Sequence, residues 1–191
     1  MEALLRHVNP HGPLPPVAST KTGSLLVIGT AGCVWDDLQR YDGQHQGDRM
    51  ALSDMIAYYP GVLQHGSSLH TDGISMFAFR RVEYDVPRGL PAPLNHSHRA
   101  GEAVDCVWPL TRDGGTTGLF SVLIGLLMGY EKVILAGSPL DGKSHFYDPP
   151  WSLGNYDSDA IHDEWKRTIP VMQGRVKSLS GITREWFGEP S

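Results

Sequence analysis

A chain of 191 residues with 40% apolar and 19% charged side chains has the composition of a soluble globular protein and room for one full domain. Its net charge of −5 argues against a binder of nucleic-acid backbones, which needs a basic face. Only Cys33 and Cys106 are present, so no disulfide framework exists and a reducing compartment, the cytoplasm, is expected.

In chain order, residues 1–22 carry four prolines and read as an arm ahead of one α/β domain at 23–191. Such an arm suits exchange with a neighbouring copy, hence a homo-oligomer. The opening residues lack a basic stretch followed by an apolar one, so no leader is expected. Residues 24–29, "SLLVIG", are a short apolar run ending at glycine, as in a buried parallel strand. "CVWDDLQRY" follows with Val34, Trp35 and Leu38 at helical spacing. "DRMALSDMIAYY" (48–59) predicts a helix through Met50, Met55, Ile56 and Tyr59, ended by Pro60 and Gly61. "VLQHG" (62–66) predicts a strand, and "ISMFAFRRVEYDV" (74–86) an extended segment at a sheet edge. "VPRGLPAPLNHSH" (86–98) is a proline-rich loop whose His96 and His98 are expected to be exposed, or to serve as a lid or acid–base pair. "AVDCVWPL" (103–110) is another strand. A helix over 116–129 contains about ten consecutive apolar residues, too few to span a bilayer. The strand "KVILAG" (132–137), a helix over 157–173 and a strand "VKSLSG" (176–181) complete the series. This alternation predicts an α/β fold with a mainly parallel sheet flanked by helices.

In such sheets ligands bind beyond the carboxyl ends of the strands, which directs attention to four loops. In the first, Gly29, Thr30, Ala31, Gly32 and Cys33 link strand to helix. The glycines permit close approach and the helix start offers free N–H groups to a phosphate; a tight turn without a ligand is the plainer reading. The pattern is neither a Walker loop nor a full dinucleotide fingerprint. The second loop holds His65, Ser67, Ser68, His70 and Asp72. A metal is conceivable there, but a solvated polar loop is the commoner outcome. In the third, "RDGGTTG" (112–118), Gly115, Thr116, Thr117 and Gly118 open the apolar helix, with Thr116 as its cap. The fourth (137–148) carries Ser138, Asp141, Lys143, His145, Tyr147 and Asp148, followed by Trp151. His145 suits a general base, Asp141 a ribose hydroxyl, Tyr147 a phosphate and Trp151 a stacked ring. His162, further on, is a second candidate base, and Asp157 or Ser158 a helix cap.

The block "GGTTGLFSVLIGLLMGYEKVILAGSPLDG" resembles the second conserved block of a nucleotide-binding group. That group comprises the bacterial family 42 type sialyltransferases and the MptE-like proteins. "LLVIGTAGCVWDDL" resembles the group's first strand–loop–helix. Thr30, Gly32 and Cys33 depart from its Asn and Pro-Ser, and Pro139 with Leu140 displaces its Asp. Short chains of this look also occur among phage and prophage products of unassigned role. The resemblance implies a Rossmann-like domain of the cytoplasm of a bacterial cell or a phage-infected host. It implies a nucleotide or nucleotide-sugar (CMP-type) as donor, held by residues 29–33 and 115–118, Ser138, Asp141 and Tyr147. The expected activity is a nucleotide-dependent transferase of the glycosyl kind, with His145 or His162 as base and no metal. The alternatives are an MptE-like pyrophosphokinase, which would need Mg²⁺, and a non-catalytic binding or assembly protein on the same fold. No nucleic acid and no membrane span are expected.

Overall fold

Successive side chains of β1 (Ser24–Ile28) enter two different cores. Leu25 and Val27 join one cluster, Leu26 and Ile28 the other, and all four are fully buried. A strand inside a sheet covered on both faces requires this pattern. A computed structural model of the chain describes residues 20–84, 90–110, 115–149, 151–152 and 159–191. In it β1 belongs to a sheet of seven strands, every pair parallel. The others are β2 (Asp48–Leu52), β3 (His65–Ser67), β4 (Leu94–Ser97), β5 (Cys106–Val107), β6 (Lys132–Ala136) and β7 (Val176–Ser178). Their order is β5-β4-β3-β2-β1-β6-β7. The chain therefore lays strands outward on one side of β1, returns, and lays the last two on the other side. The expected α/β, Rossmann-like architecture is present.

Helices cover both faces. α1 (Val34–Tyr41), α2 (Met55–Tyr58) and α3 (Ile74–Glu83) pack Val34, Leu38, Met55, Ile56 and Phe77 on the side of Leu26 and Ile28. α4 (Thr117–Met128) and α5 (Asp159–Met172) take the side of Leu25 and Val27, and Phe187 of α6 (Gly181–Phe187) joins them. α4 is buried from Gly118 to Met128. A helix apolar all round needs cover on every side, and Trp165 and Met172 of α5 share its cluster. Gly129 ends α4 in the left-handed conformation (φ 106°), as glycine after a helix commonly does. Among the described residues no helix is long and apolar enough to cross a membrane.

Three sequence expectations are corrected. Residues 48–59 are the strand β2 followed by the one-turn α2. Met50, Ala51 and Leu52 are buried in succession between β1 and β3, and Ser53 has φ 47°, which a continuing helix forbids. Residues 74–83 are the helix α3 and not an edge strand; Ile74, Phe77 and Arg81 are its buried positions, a spacing that closes one helical face. Finally, "LNHS" is the strand β4, with Asn95, His96 and Ser97 buried, so His96 is neither exposed nor a lid. α6 was not anticipated. Lys21, assigned to the arm, donates its N–H to Met128 O (2.7 Å) and its ammonium to Asp48 (2.9 Å). Residues 1–19 of the arm, the loop at 86–89 and the caps Asp157 and Ser158 lie outside the described residues.

His96 belongs to a buried chain of hydrogen bonds with one allowed direction. Trp108 Nε1–H can only donate, and it donates to His96 Nδ1 (3.0 Å). His96 Nε2–H must then donate to His65 Nδ1 (2.9 Å), and His65 Nε2–H to the Tyr130 hydroxyl (2.9 Å). Tyr130 in turn donates to Asp48. Burial holds both rings neutral, lowering His65 to about 4 and His96 to about 3. Burial also raises the Tyr130 hydroxyl. For Asp48 burial acts upward, but the bonds from Tyr130 and Lys21 outweigh it and hold the carboxyl below its ordinary value.

Candidate functional site

Because strand order reverses at β1, the loops that follow β1 and β6 leave the sheet in different directions and open a crevice between them. A cleft of about 440 Å³ occupies this position, within the ordinary range for small-molecule sites. Gly29, Thr30 and Ala31 line it from β1, and Leu52, Ser53 and Asp54 from β2. Leu69 and His70 come from β3, and 115–118 from the start of α4. The loop after β6 contributes 137–143, His145 and Tyr147, and α5 adds Ile161 and Trp165. All four loops singled out in the sequence thus reach one cleft. The backbone is strained there: Ser53 (φ 47°) and Leu140 (φ 55°) hold a left-handed conformation that costs a non-glycine residue about 1 kcal/mol or more.

The first turn of α4 is the part of the cleft whose backbone suits an anion. The first N–H groups of any helix lack an intrahelical partner. Here Thr116 Oγ1 accepts the Leu119 N–H (3.1 Å), and Thr116 O accepts that of Phe120 (3.0 Å). The N–H groups of Thr117 and Gly118 are left on the cleft wall, at the positive end of a twelve-residue helix. Trp165 Nε1–H also donates to Thr116 Oγ1 (3.2 Å), tying α5 to the same turn.

The first loop differs. Gly29 N–H is given to Ala136 O (2.8 Å), Ala31 N–H to Gly137 O (3.2 Å) and Gly32 N–H to Ser144 O (3.1 Å). The loop walls the cleft with its backbone already spent. The first turn of α1 also carries a buried carboxylate, Asp37, 1% exposed. Asp37 accepts from the Gly137 N–H (2.9 Å), the Ser180 hydroxyl (2.7 Å) and Arg40 (2.7 Å). This internal anion brings a negative charge to the positive end of α1. Cys33 lies outside the cleft, its thiol against Ser180 (3.3 Å) and raised by burial.

In the fourth loop Asp148 accepts from both His145 Nδ1 (2.8 Å) and the His145 N–H (3.0 Å). These bonds hold the Asp148 carboxyl below its usual range. They also orient the ring, with Nδ1 turned to the carboxylate. Lys143 and Asp141 pair at 3.0 Å, and that carboxylate raises the ammonium's pKa. Tyr147 donates to Asp54 (3.2 Å).

Of the expected nucleotide-binding residues, Gly29, Thr30, Ala31, Gly115, Thr116, Thr117, Gly118, Ser138, Asp141 and Tyr147 line the cleft, as does His145. Gly32, Cys33 and His162 do not. His162 Nε2 meets Leu140 O at 3.0 Å and its ring stands edge-on to Trp186, so it braces the loop from outside. Trp151 is 83% exposed and also lies away from the cleft. Of the second loop's polar residues only His70 lines the cleft; His65, Ser67 and Ser68 are buried. Among the described residues no three His, Cys, Asp or Glu side chains are grouped to hold a metal. Sequence reasoning missed Ser53 and Asp54 because they were placed inside a helix; a polar pair directly after the apolar Met50 to Leu52 was the available signal. It also missed Trp165 as a cleft residue, since its apolar spacing reads only as core.

The fold and cleft define a parallel α/β protein with a cleft of small-molecule size at its topological switch point. Comparisons with protein-family models, curated proteins and solved structures gave no match.

Proposed function

We propose that the chain binds a nucleotide or nucleotide-sugar in this cleft and acts as a nucleotide-dependent transferase of the glycosyl kind. The observation that carries the reading is the meeting of two elements in one cleft. One is the α4 first turn with N–H groups for an anion; the other is His145, oriented by Asp148. Two stretches of the second block that resembles the nucleotide-binding group, 116–118 and 137–141, line it.

The donor's phosphate belongs at Thr117 and Gly118. Asp141 suits its hydroxyls, and Leu52, Leu69, Ile161 and Trp165 form an apolar wall for its flat parts. In the transfer His145 Nε2 takes the acceptor hydroxyl's proton as that oxygen bonds the sugar's anomeric carbon. The bond from this carbon to the phosphate oxygen breaks, and its electron pair leaves on the nucleotide, steadied by the α4 N–H groups. The occupied N–H groups of the first loop favour a donor with one phosphate, of the CMP type, over a triphosphate.

The test is thermal stabilisation by CMP, CDP, CTP, UDP, ATP and GTP. A ligand at a hundredfold excess over its Kd adds about 2.7 kcal/mol. Gly118→Ala separates site from fold. Its added methyl would meet Trp165 at 3.5 Å and Leu52 at 3.9 Å, ordinary contacts, and alanine favours helix. The variant should melt no lower than the parent yet lose the nucleotide response, because its methyl enters the cleft between Trp165 and Leu52. A full response in Gly118→Ala, or none in the parent, defeats the proposal. Binding without hydrolysis of the matching nucleotide-sugar would reduce it to a binding protein.

A further inference from the structure

The cleft has a second, aromatic edge that the donor reading does not use. His145 stacks on Tyr147 (centroids 5.0 Å, planes 6° apart), Tyr147 on Tyr58 (5.7 Å, 22°) and Tyr58 on Tyr84 (5.0 Å, 18°). These four rings form one ladder from the cleft lining to the surface. Phe146 stands edge-on to Tyr58 (5.1 Å) and Tyr147 (5.0 Å) and to Trp35 (5.3 Å), locking the ladder from behind. Tyr147, Trp35 and Tyr84 are nevertheless 39%, 40% and 49% exposed. Rings of this size are normally buried for their area, and a contiguous exposed group of them marks an interaction site.

We infer that this ladder is a binding platform for a saccharide, presented to the cleft as the second substrate. The ring surface that Tyr147, Trp35 and Tyr84 leave exposed suits the C–H faces of a pyranose, and tyrosine hydroxyls and a carboxylate suit its hydroxyl groups. Both are here: Asp54 accepts from Tyr147 at 3.2 Å and lines the cleft. The chemistry argues against a single-stranded nucleic acid, which also stacks on aromatic rings but needs unpaired cations along its backbone. Among the described residues of this edge, Arg80 faces Asp54 at 3.5 Å, and the chain's net charge is −5. The platform joins the cleft through His145 and Tyr147, so a sugar on the ladder has its hydroxyls beside the proposed base. Its role as acceptor rests on the transferase reading; its binding does not.

The full chain is titrated with maltohexaose, cellohexaose, xylohexaose and chitohexaose, and separately with a thymidine oligonucleotide, each followed by saturation-transfer NMR. At least one saccharide should show transfer to its ring C–H protons. The double variant Tyr58→Ala, Tyr84→Ala should weaken that binding about tenfold or more, whereas Tyr58→Phe, Tyr84→Phe should keep most of it. No saccharide binding, unchanged binding in the alanine variant, or preferential binding of the oligonucleotide overturns the inference. The nucleotide response is measured on the same samples. If the alanine variant loses it too, the ladder is structural and the inference falls. If the parent lacks it, the donor reading falls and the saccharide result decides the ladder alone.

Discussion

At the scale of the residue, Thr116 has the most concentrated role. Its side-chain oxygen takes both the Leu119 N–H and the Trp165 indole N–H, so one atom caps α4 and anchors α5 beside the cleft. Loss of such a cap costs about 1 kcal/mol, and the abandoned indole donor adds a similar amount. Thr116→Ala should therefore lower unfolding free energy by about 2 kcal/mol in urea denaturation, and Thr116→Ser should restore most of it. Equal stability of the two variants would dissociate the oxygen from both bonds. The cap itself is legible in the sequence, because Thr before an apolar helix is a local signal. The fate of the first loop is not. Gly29, Ala31 and Gly32 look identical whether their N–H groups await a phosphate or meet carbonyls of 136–144, and only the fold brings those carbonyls to them.

At the scale of the element, β2, β3 and β4 are joined below the cleft by the chain from Trp108 to Asp48. Its single direction makes it sensitive to protons, since adding one to either imidazole sets a donor against a donor. Both histidines are neutral in the fold, His65 down to about 4 and His96 to about 3, whereas in the unfolded chain they take up protons near pH 6.5. The unfolded state thus binds more protons, and stability falls as pH drops from about 6.5 toward 4. Each ring should cost about 2 kcal/mol by pH 5, read as a shift in the denaturation midpoint between pH 7 and 5. A flat profile over that interval would contradict the chain as drawn. None of this is legible locally. "NHSH" among prolines reads as solvated loop, and the partners that bury His96 lie 12 and 31 positions away.

At the scale of the whole molecule, the sheet's two halves meet where β1 and β6 end. A Cβ on Gly29 would stand 2.3 Å from Gly137 O and 2.5 Å from Ser138 Oγ, so the halves close only because no side chain is there. Gly29→Ala should cost about 2 kcal/mol by overpacking and abolish any nucleotide response. Gly115→Ala, with nothing within 4 Å, should leave stability unchanged. The alternation of apolar strands with helices was enough to read the parallel α/β class and to place four loops on one edge. It misassigned β2 and α3, because short apolar runs suit either period. What settles them is pairing: Met50, Ala51 and Leu52 are demanded by β1 and β3 on either side.

Asp37 carries a consequence for the chain's history. It fills the α1 helix end with a carboxylate, where many proteins of this general architecture seat a dinucleotide's pyrophosphate. Replacing it alone would strand the donors of Gly137, Ser180 and Arg40. A descendant reaching for dinucleotides would therefore have to change several positions together, each harmful singly. Anionic ligands should accordingly enter from the α4 side of the cleft and not at α1.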